Sequence, residues 1–153
     1  MTTEEIEKRL KVLEDIEEIK KLHYYYLYWL NALEFEKMID CFAEDATFTG
    51  LPPQGSFYTG KKEIAKMFRA MAESHQRATG SFVAQPVISV EGDRAKGQWF
   101  YISNITNRRV FTSEAGDDIT AVVPRQSTYD MEYKREDGKW KISKLHLIVG
   151  WHR

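Results

Sequence analysis

The sequence predicts an α+β domain: a strongly curved antiparallel sheet wrapped as a cone on a long N-terminal helix and two shorter helices. Three observations carry this. Apolar residues recur every three or four positions up to Leu30. Strand-like runs take over beyond residue 78. Two glycine-bearing turns, Glu91-Gly92-Asp93 and Asp137-Gly138, each join a pair of long strand-like runs. Helices gathered early and an antiparallel sheet gathered late define the class. The chain of 153 residues reads as one domain over 1–153, without repeats or linkers. A chain of this size buries roughly 70% of its unfolded surface, enough for a core with a pocket beside it.

The first helix starts at Thr3, where Glu4 and Glu5 suit the positive end of the helix dipole. Ile6, Leu10, Leu13, Ile16, Ile19, Leu22, Tyr26 and Leu30 then mark one apolar line over about eight turns. The Lys and Glu positions read as a solvated face, and the first two turns are open to use as a partner-binding arm. Residues 35–42 read as a second short helix closing on Ala43-Glu44-Asp45. ATFTG at 46–50 is strand-like, LPPQGS at 51–56 is a loop, and FYTG at 57–60 is a short strand ending in a turn. Residues 61–74 form a third helix with Ile64, Met67, Phe68 and Met71 on one face. The runs 81–90 and 94–111 form the first long hairpin, SEAGDD at 113–118 a loop, and the runs 120–136 and 138–151 the second hairpin. Pro124 marks a strand start or a bulge.

Composition narrows the function. Twenty-two basic and 23 acidic residues leave a net charge of −1, with no basic excess to bind phosphate backbones; Arg108-Arg109 is the sole arginine pair. Aromatic residues at 13% argue against disorder. The single cysteine, Cys41, forms no intramolecular disulfide, which fits a reducing compartment, and its neighbours Ile39 and Phe42 mark a buried thiol. MTTEEIEKRL is no signal peptide, and no run approaches the ~20 apolar residues of a membrane span, so a soluble cytoplasmic protein is expected. Zinc-ligand spacing, HExxH, GxGxxG and P-loop patterns are all missing, and neither GSF at 80–82 nor GSFY at 55–58 makes a nucleophile elbow. No metal or other cofactor is expected.

LEDIEEIKKLHYYYLYWLNALEFEKMIDCFAEDATFTG, with its Phe42-Ala43-Glu44-Asp45-Ala46 step, resembles the opening of SnoaL-like proteins in the nuclear transport factor 2-like superfamily. Gly60-Lys61-Lys62-Glu63-Ile64, VEGDRAKGQW at 90–99 and EDGKWKISK at 136–144 fit the same family, so the resemblance spans nearly the whole chain. It implies the cone fold and a homodimer or homotrimer. The family includes scytalone dehydratase, hexachlorocyclohexane dehydrochlorinase and bile-acid 7α-dehydratase, which eliminate water or HCl with a pocket Asp and His, often with a Tyr. By that resemblance Tyr26 falls on the tyrosine position, Asn31 on the aspartate and Ser81 near the histidine. An amide or a hydroxyl cannot replace a carboxylate–imidazole pair as a base near neutral pH. No histidine lies between 76 and 145, so the loss does not depend on register.

The segment HYYYLYWLN at 23–31 concentrates rings with polar tips. Tyr26 and Leu30 continue the buried line, while Tyr24, Tyr28 and Asn31 form a second line at i, i+4 and i+7, expected at a pocket or an interface. His23 is expected at the surface or an interface, with the pocket edge within reach. His75 ends the third helix, where its charge suits the dipole, and His152 is terminal. His146 shares strand parity with Trp140 and Ile142 if no bulge intervenes, and so faces the cavity. Asp130 gains basicity if it points into an apolar pocket. Trp99, Tyr101, Ser103, Ile105 and Asn107 share one side of their strand, and Phe100, Ile102, Asn104 and Thr106 the other. One side lines the cavity and the other a subunit interface; the sequence leaves open which. Tyr129, Met131 and Tyr133 form an aromatic stripe suited to a core. Ser81, Trp99, Tyr101 and Tyr129 are the candidate ligand contacts.

The function expected is a pocket for a small, largely apolar, cyclic molecule. As an enzyme it is a cofactor-free lyase of the dehydratase type or an isomerase. Tyr26 polarises or protonates an oxygen, Asn31 orients substrate, and His146 or Asp130 is the base. The alternative is a non-catalytic ligand-binding or dimerisation module, with Asn31 and Ser81 where the family has Asp and His. Neither nucleic acid nor membrane is expected as a partner.

Overall fold

A computed structural model describes residues 1–50, 56–73, 78–105, 110–112, 118–120 and 123–149. His75, His152 and the Arg108-Arg109 pair lie outside the described residues. Helix α1 spans Thr3–Ala32. Its start is fixed by a capping box: the Glu5 N–H donates to Thr2 Oγ1 at 3.1 Å, and the Thr2 N–H donates to Glu5 Oε2 at 2.8 Å. Leu33, at φ 61°, ends it in the left-handed region.

The apolar line expected along α1 does not stay on one face. Leu10, Leu13, Ile16, Ile19 and Leu22 are each three residues apart, and each such step falls about 60° short of a full turn. The line therefore rotates by about 240° between Leu10 and Leu22. Ile19, His23, Tyr26 and Leu27 are buried, whereas Ile6, Leu10 and Leu13 are exposed.

Helix α2, Phe35–Ile39, is shorter than expected. Phe42-Ala43-Glu44-Asp45 belongs instead to strand β1, Phe42–Thr49, where Phe42 and Ala43 are buried. Strand β2 (Phe57–Thr59) and helix α3 (Lys61–Glu73) follow, and Ile64, Met67 and Phe68 of α3 are buried as expected. The long strands are β3 (Ala78–Glu91), β4 (Arg94–Ile105), β7 (Val123–Glu136) and β8 (Lys139–Val149). Short strands β5 (Val110–Thr112) and β6 (Asp118–Thr120) pair apart from them. The main sheet runs β2-β1-β8-β7-β4-β3, and its pairs are antiparallel apart from β1 with β8, which is parallel. Helix α1 touches both β3 at the sheet edge and β8 near its middle, so the sheet wraps the helix. The core between them holds Tyr26, Phe42, Trp99, Met131, Tyr133 and Ile142.

Two irregularities decide which side chains face this core. In β3, Gln85 adopts φ 53° and the pairing with β4 shifts between Ala84 and Val87. In β8, Ser143 is an extra residue: Tyr133 pairs with Ile142, but Glu132 pairs with Lys144. Beyond it Leu145 and Leu147 point inward.

A polar cluster fastens α1 to the hairpin ends. Asp15 Oδ1 accepts from Lys11 Nζ at 2.8 Å, from Trp140 Nε1 at 3.2 Å and from the Arg135 guanidinium. Arg135 lies 4.6 Å from the Trp140 ring centroid, and its Nε is 3.4 Å from Asp93 Oδ1. Burial pushes the Asp15 carboxyl up, but Lys11, Trp140 and Arg135 outweigh it and hold it below the usual range. Asp15→Asn is expected to cost about 2 kcal/mol at pH 7 in urea unfolding, because it leaves the Arg135 charge short of its buried partner.

Candidate functional site

Inward-facing residues change character along the sheet. On β4 they run Ala95, Gly97, Trp99, Tyr101, Ser103, and on β7 Tyr133, Met131, Tyr129, Ser127. Large rings fill one end and small hydroxyls the other. Ser81, Ser103 and Ser127 are all buried on the adjacent strands β3, β4 and β7, with Ser81 paired to Ser103 and Tyr101 to Ser127.

The rings carry a buried polar system. The Trp99 indole N–H donates to the Tyr133 hydroxyl at 2.9 Å, and that hydroxyl is 3.1 Å from His23 Nδ1. Trp99 can only donate, so the Tyr133 hydrogen is free for Nδ1. If the hydroxyl donates to Nδ1 the His23 ring proton sits on Nε2; in the other tautomer Nδ1 donates to the hydroxyl. His23 stacks on Trp99 at 4.4 Å between centroids and lies 5.5 Å from Tyr129 and 5.8 Å from Tyr26. Burial alone pushes its pKa from 6.5 down to about 3, so the ring is neutral at physiological pH. The Tyr129 hydroxyl interacts with those of both Tyr26 and Tyr101, and Tyr101 meets Ser81 Oγ at 2.9 Å. Burial pushes the Tyr26, Tyr129 and Tyr133 hydroxyls above the ordinary tyrosine value, so they too stay neutral. His23 Nε2 and Ser127 Oγ are buried without a hydrogen-bond partner among the described residues.

Tyr26, Ser81, Trp99, Tyr101 and Tyr129 are thus brought together on the concave side. Asn31 joins them at the rim in an unexpected way. Its Nδ2 donates to the Ser81 carbonyl at 2.7 Å, and its Oδ1 accepts from the Ser81 N–H at 2.8 Å. The two positions where the family's Asp and His were expected are therefore in contact. The amide, however, acts as a short extension of the sheet at edge strand β3, and its groups are committed to backbone rather than to substrate. An aspartate cannot donate to that carbonyl. Asn31→Asp is expected to cost about 1–2 kcal/mol, measured by chemical unfolding, with Asn31→Gln as comparison.

His146 and Asp130 are not part of this group. Ser143 breaks the alternation that linked His146 to Trp140 and Ile142, so His146 turns to the outer face, opposite Asp130. Asp130 there borders an open groove of about 270 Å³ with Gln85, Val87, Gln98, Phe100 and Ile148. Tyr28 is exposed, and Tyr24, half exposed, rests edge-on against Trp99 with ring centroids 5.8 Å apart. His23, expected at the surface, is fully buried. Its signal was in the sequence: Ile19, His23 and Tyr26 follow at four and three residues on the buried line. Cys41 is buried as expected, and burial pushes its thiol up to about 11. Among the described residues no cluster of His, Cys, Asp and Glu could hold a metal ion, and no helix is long and apolar enough to cross a membrane.

Comparison with solved structures finds the same architecture. An NTF2-like protein with a cystatin-like fold from Novosphingobium aromaticivorans superposes with a TM-score of 0.75 at 19% identity, covering 99% of this chain and 92% of that one. A candidate scytalone dehydratase from the same organism gives 0.73 at 18% identity, covering 90% and 85%. A candidate aromatic ring hydroxylase, also from that organism, gives 0.71 at 19% identity, covering 90% of each chain. These identities show the fold alone. No curated protein matches the sequence. The SnoaL-like domain matches residues 11–146, nearly the whole chain, and this protein belongs to that family.

Proposed function

We propose that this SnoaL-like protein is a pocket protein for a small, largely apolar, cyclic molecule bearing an oxygen, recognised through groups that stay neutral. The observation that carries this reading is the serine end of the concave face. Three small buried hydroxyls stand beside Trp99, Tyr101 and Tyr129, and one of them, Ser127 Oγ, has no partner among the described residues. Aromatic walls with a few convergent polar groups suit such a ligand. The Tyr26–Tyr129–Tyr101–Ser81 hydroxyl chain supplies donors to its oxygen.

A second reading, a cofactor-free dehydratase-like lyase or isomerase, is favoured by His23 Nε2, a buried imidazole nitrogen without a partner beside Tyr26 and Tyr129. Fold neighbours that include a candidate scytalone dehydratase are compatible with it. Against it stand the depressed basicity of His23 and the raised hydroxyl pKa values, which make poor proton carriers near neutrality. The test is a panel of cyclic enones, aryl ketones and phenols, titrated by saturation-transfer NMR. At least one class is expected to bind, with Ser127→Ala and Tyr101→Phe each weakening it about tenfold. Binding by no member, or binding indifferent to both variants, would sink the reading.

A further inference from the structure

Strand β7 carries an arginine at each end of its inward-facing side. Alternation from Tyr133 through Met131, Tyr129 and Ser127 is unbroken, because β7 pairs with β4 residue by residue from Lys134 to Val123. Continued one step each way, it sets Arg135 and Arg125 on that same side. Arg135 is closed off by Asp15 of α1. Arg125, half-buried at the serine end, has no ion pair or hydrogen bond among the described residues. Every inward position between the two arginines is uncharged. Arg125 lies directly opposite Ser103, and Ser103 opposite Ser81, so two serines and the guanidinium form one row across β3, β4 and β7. Side chains opposite one another in such a row have Cβ atoms about 5 Å apart. The Tyr101–Ser127 row lies about 7 Å further in, and the Trp99–Tyr129 row about 14 Å.

We propose, resting on the pocket reading above, that the ligand is a cyclic carboxylic acid whose carboxylate is held by Arg125 while its ring sits deeper, among Trp99, Tyr101 and Tyr129. A guanidinium partly removed from water costs free energy until an anion pairs with it. A carboxylate matches its planar fork with two parallel N–H···O bonds. Ser103, directly opposite, offers a hydroxyl donor to the same carboxylate. Asn31 does not compete for it, since its amide is committed to the Ser81 backbone. One guanidinium suits a monoanion, whereas a phosphate dianion would call for more positive charge than this row carries. The ring end of the ligand still meets neutral groups only, and the charge stays at the rim.

Isothermal titration calorimetry of the full chain with para-hydroxyphenylpropanoate and with its amide tests this, because the two share a ring and differ in charge. The acid is expected to bind about tenfold tighter or more, with the difference shrinking as salt is raised. Arg125→Gln is expected to bring the acid down to the affinity of the amide and to leave the amide unmoved, which a merely structural role would not do. Arg125→Lys keeps the charge but loses the fork, and is expected to retain part of the difference. Equal binding of acid and amide by the wild-type chain would overturn the proposal and leave a neutral pocket standing. So would an Arg125→Gln loss shared equally by both compounds. Tighter binding of the matching phosphonate than of the acid would overturn the carboxylate class. Binding of neither compound, nor of the neutral panel, would remove the pocket reading as well.

Discussion

Between pH 6.5 and 3 the folded protein is expected to lose about 1.4 kcal/mol of stability per pH unit through His23 alone. The ring is fully enclosed, and desolvation lowers its pKa from 6.5 to about 3. An unfolded chain takes up this proton near 6.5; the folded chain does so only near 3. The folded pKa of this base lies below its unfolded value. Its contribution is therefore whole above pH 6.5, drains as the pH falls and levels off below about 3. Tyr133, Tyr26 and Tyr129 surround the ring with hydroxyls that do not titrate in this window. Urea unfolding at pH 7, 6, 5 and 4.5 measures the slope above the range of most carboxylates. His23→Leu is expected to start less stable but to vary less with pH. Equal wild-type stability at pH 7 and 4.5 would mean that the imidazole is hydrated or charge-paired.

Gly50→Ala is expected to cost more than about 3 kcal/mol and to unfold a large fraction of the protein at 37 °C. Gly50 closes β1 at φ +104°, a conformation L side chains rarely adopt. A Cβ there would stand 1.9 Å from the Leu147 carbonyl oxygen and 2.8 Å from its carbon. Both are backbone atoms of β8, which is also held by β7, so they cannot move aside without breaking the sheet. Gly92→Ala provides the contrast. It shares a positive φ, but nothing lies within 4 Å of its added Cβ. Thermal unfolding of the two variants separates the clash from the dihedral cost, and equal melting temperatures would refute the account.

The fold was legible because its signals are local. Glycine turns set both long hairpins, and the spacing within residues 61–74 set α3. The family resemblance added the cone and set Asn31 at the family's aspartate position and Ser81 near its histidine; that the two meet through hydrogen bonds is a finding of the structure. Local patterns mislead where one residue changes their phase. Successive three-residue steps turned the α1 line around the helix, exposing Leu10 while burying Ile19. Ser143 alone moved His146 to the outer face, opposite Asp130, which unbroken alternation with Tyr129 and Met131 already places there. Neither event alters composition or propensity. Histidine is usually a polar surface residue, yet the spacing of His23 from Ile19 and Tyr26 sets it on the buried line. The Asn31 bond to Ser81 depends on a contact across 50 residues, which no local pattern encodes.

The central claim is that the interior holds its ligand through neutral hydrogen bonds without moving protons on it. The most direct measurement is mass spectrometry of a bound cyclic enone recovered after a day with the protein in deuterium oxide at pH 7. Recognition alone predicts no deuterium beyond the protein-free control and unchanged ligand. Deuterium that accumulates with wild-type protein and is lost with Tyr26→Phe or His23→Leu would contradict the claim and establish proton transfer at this site.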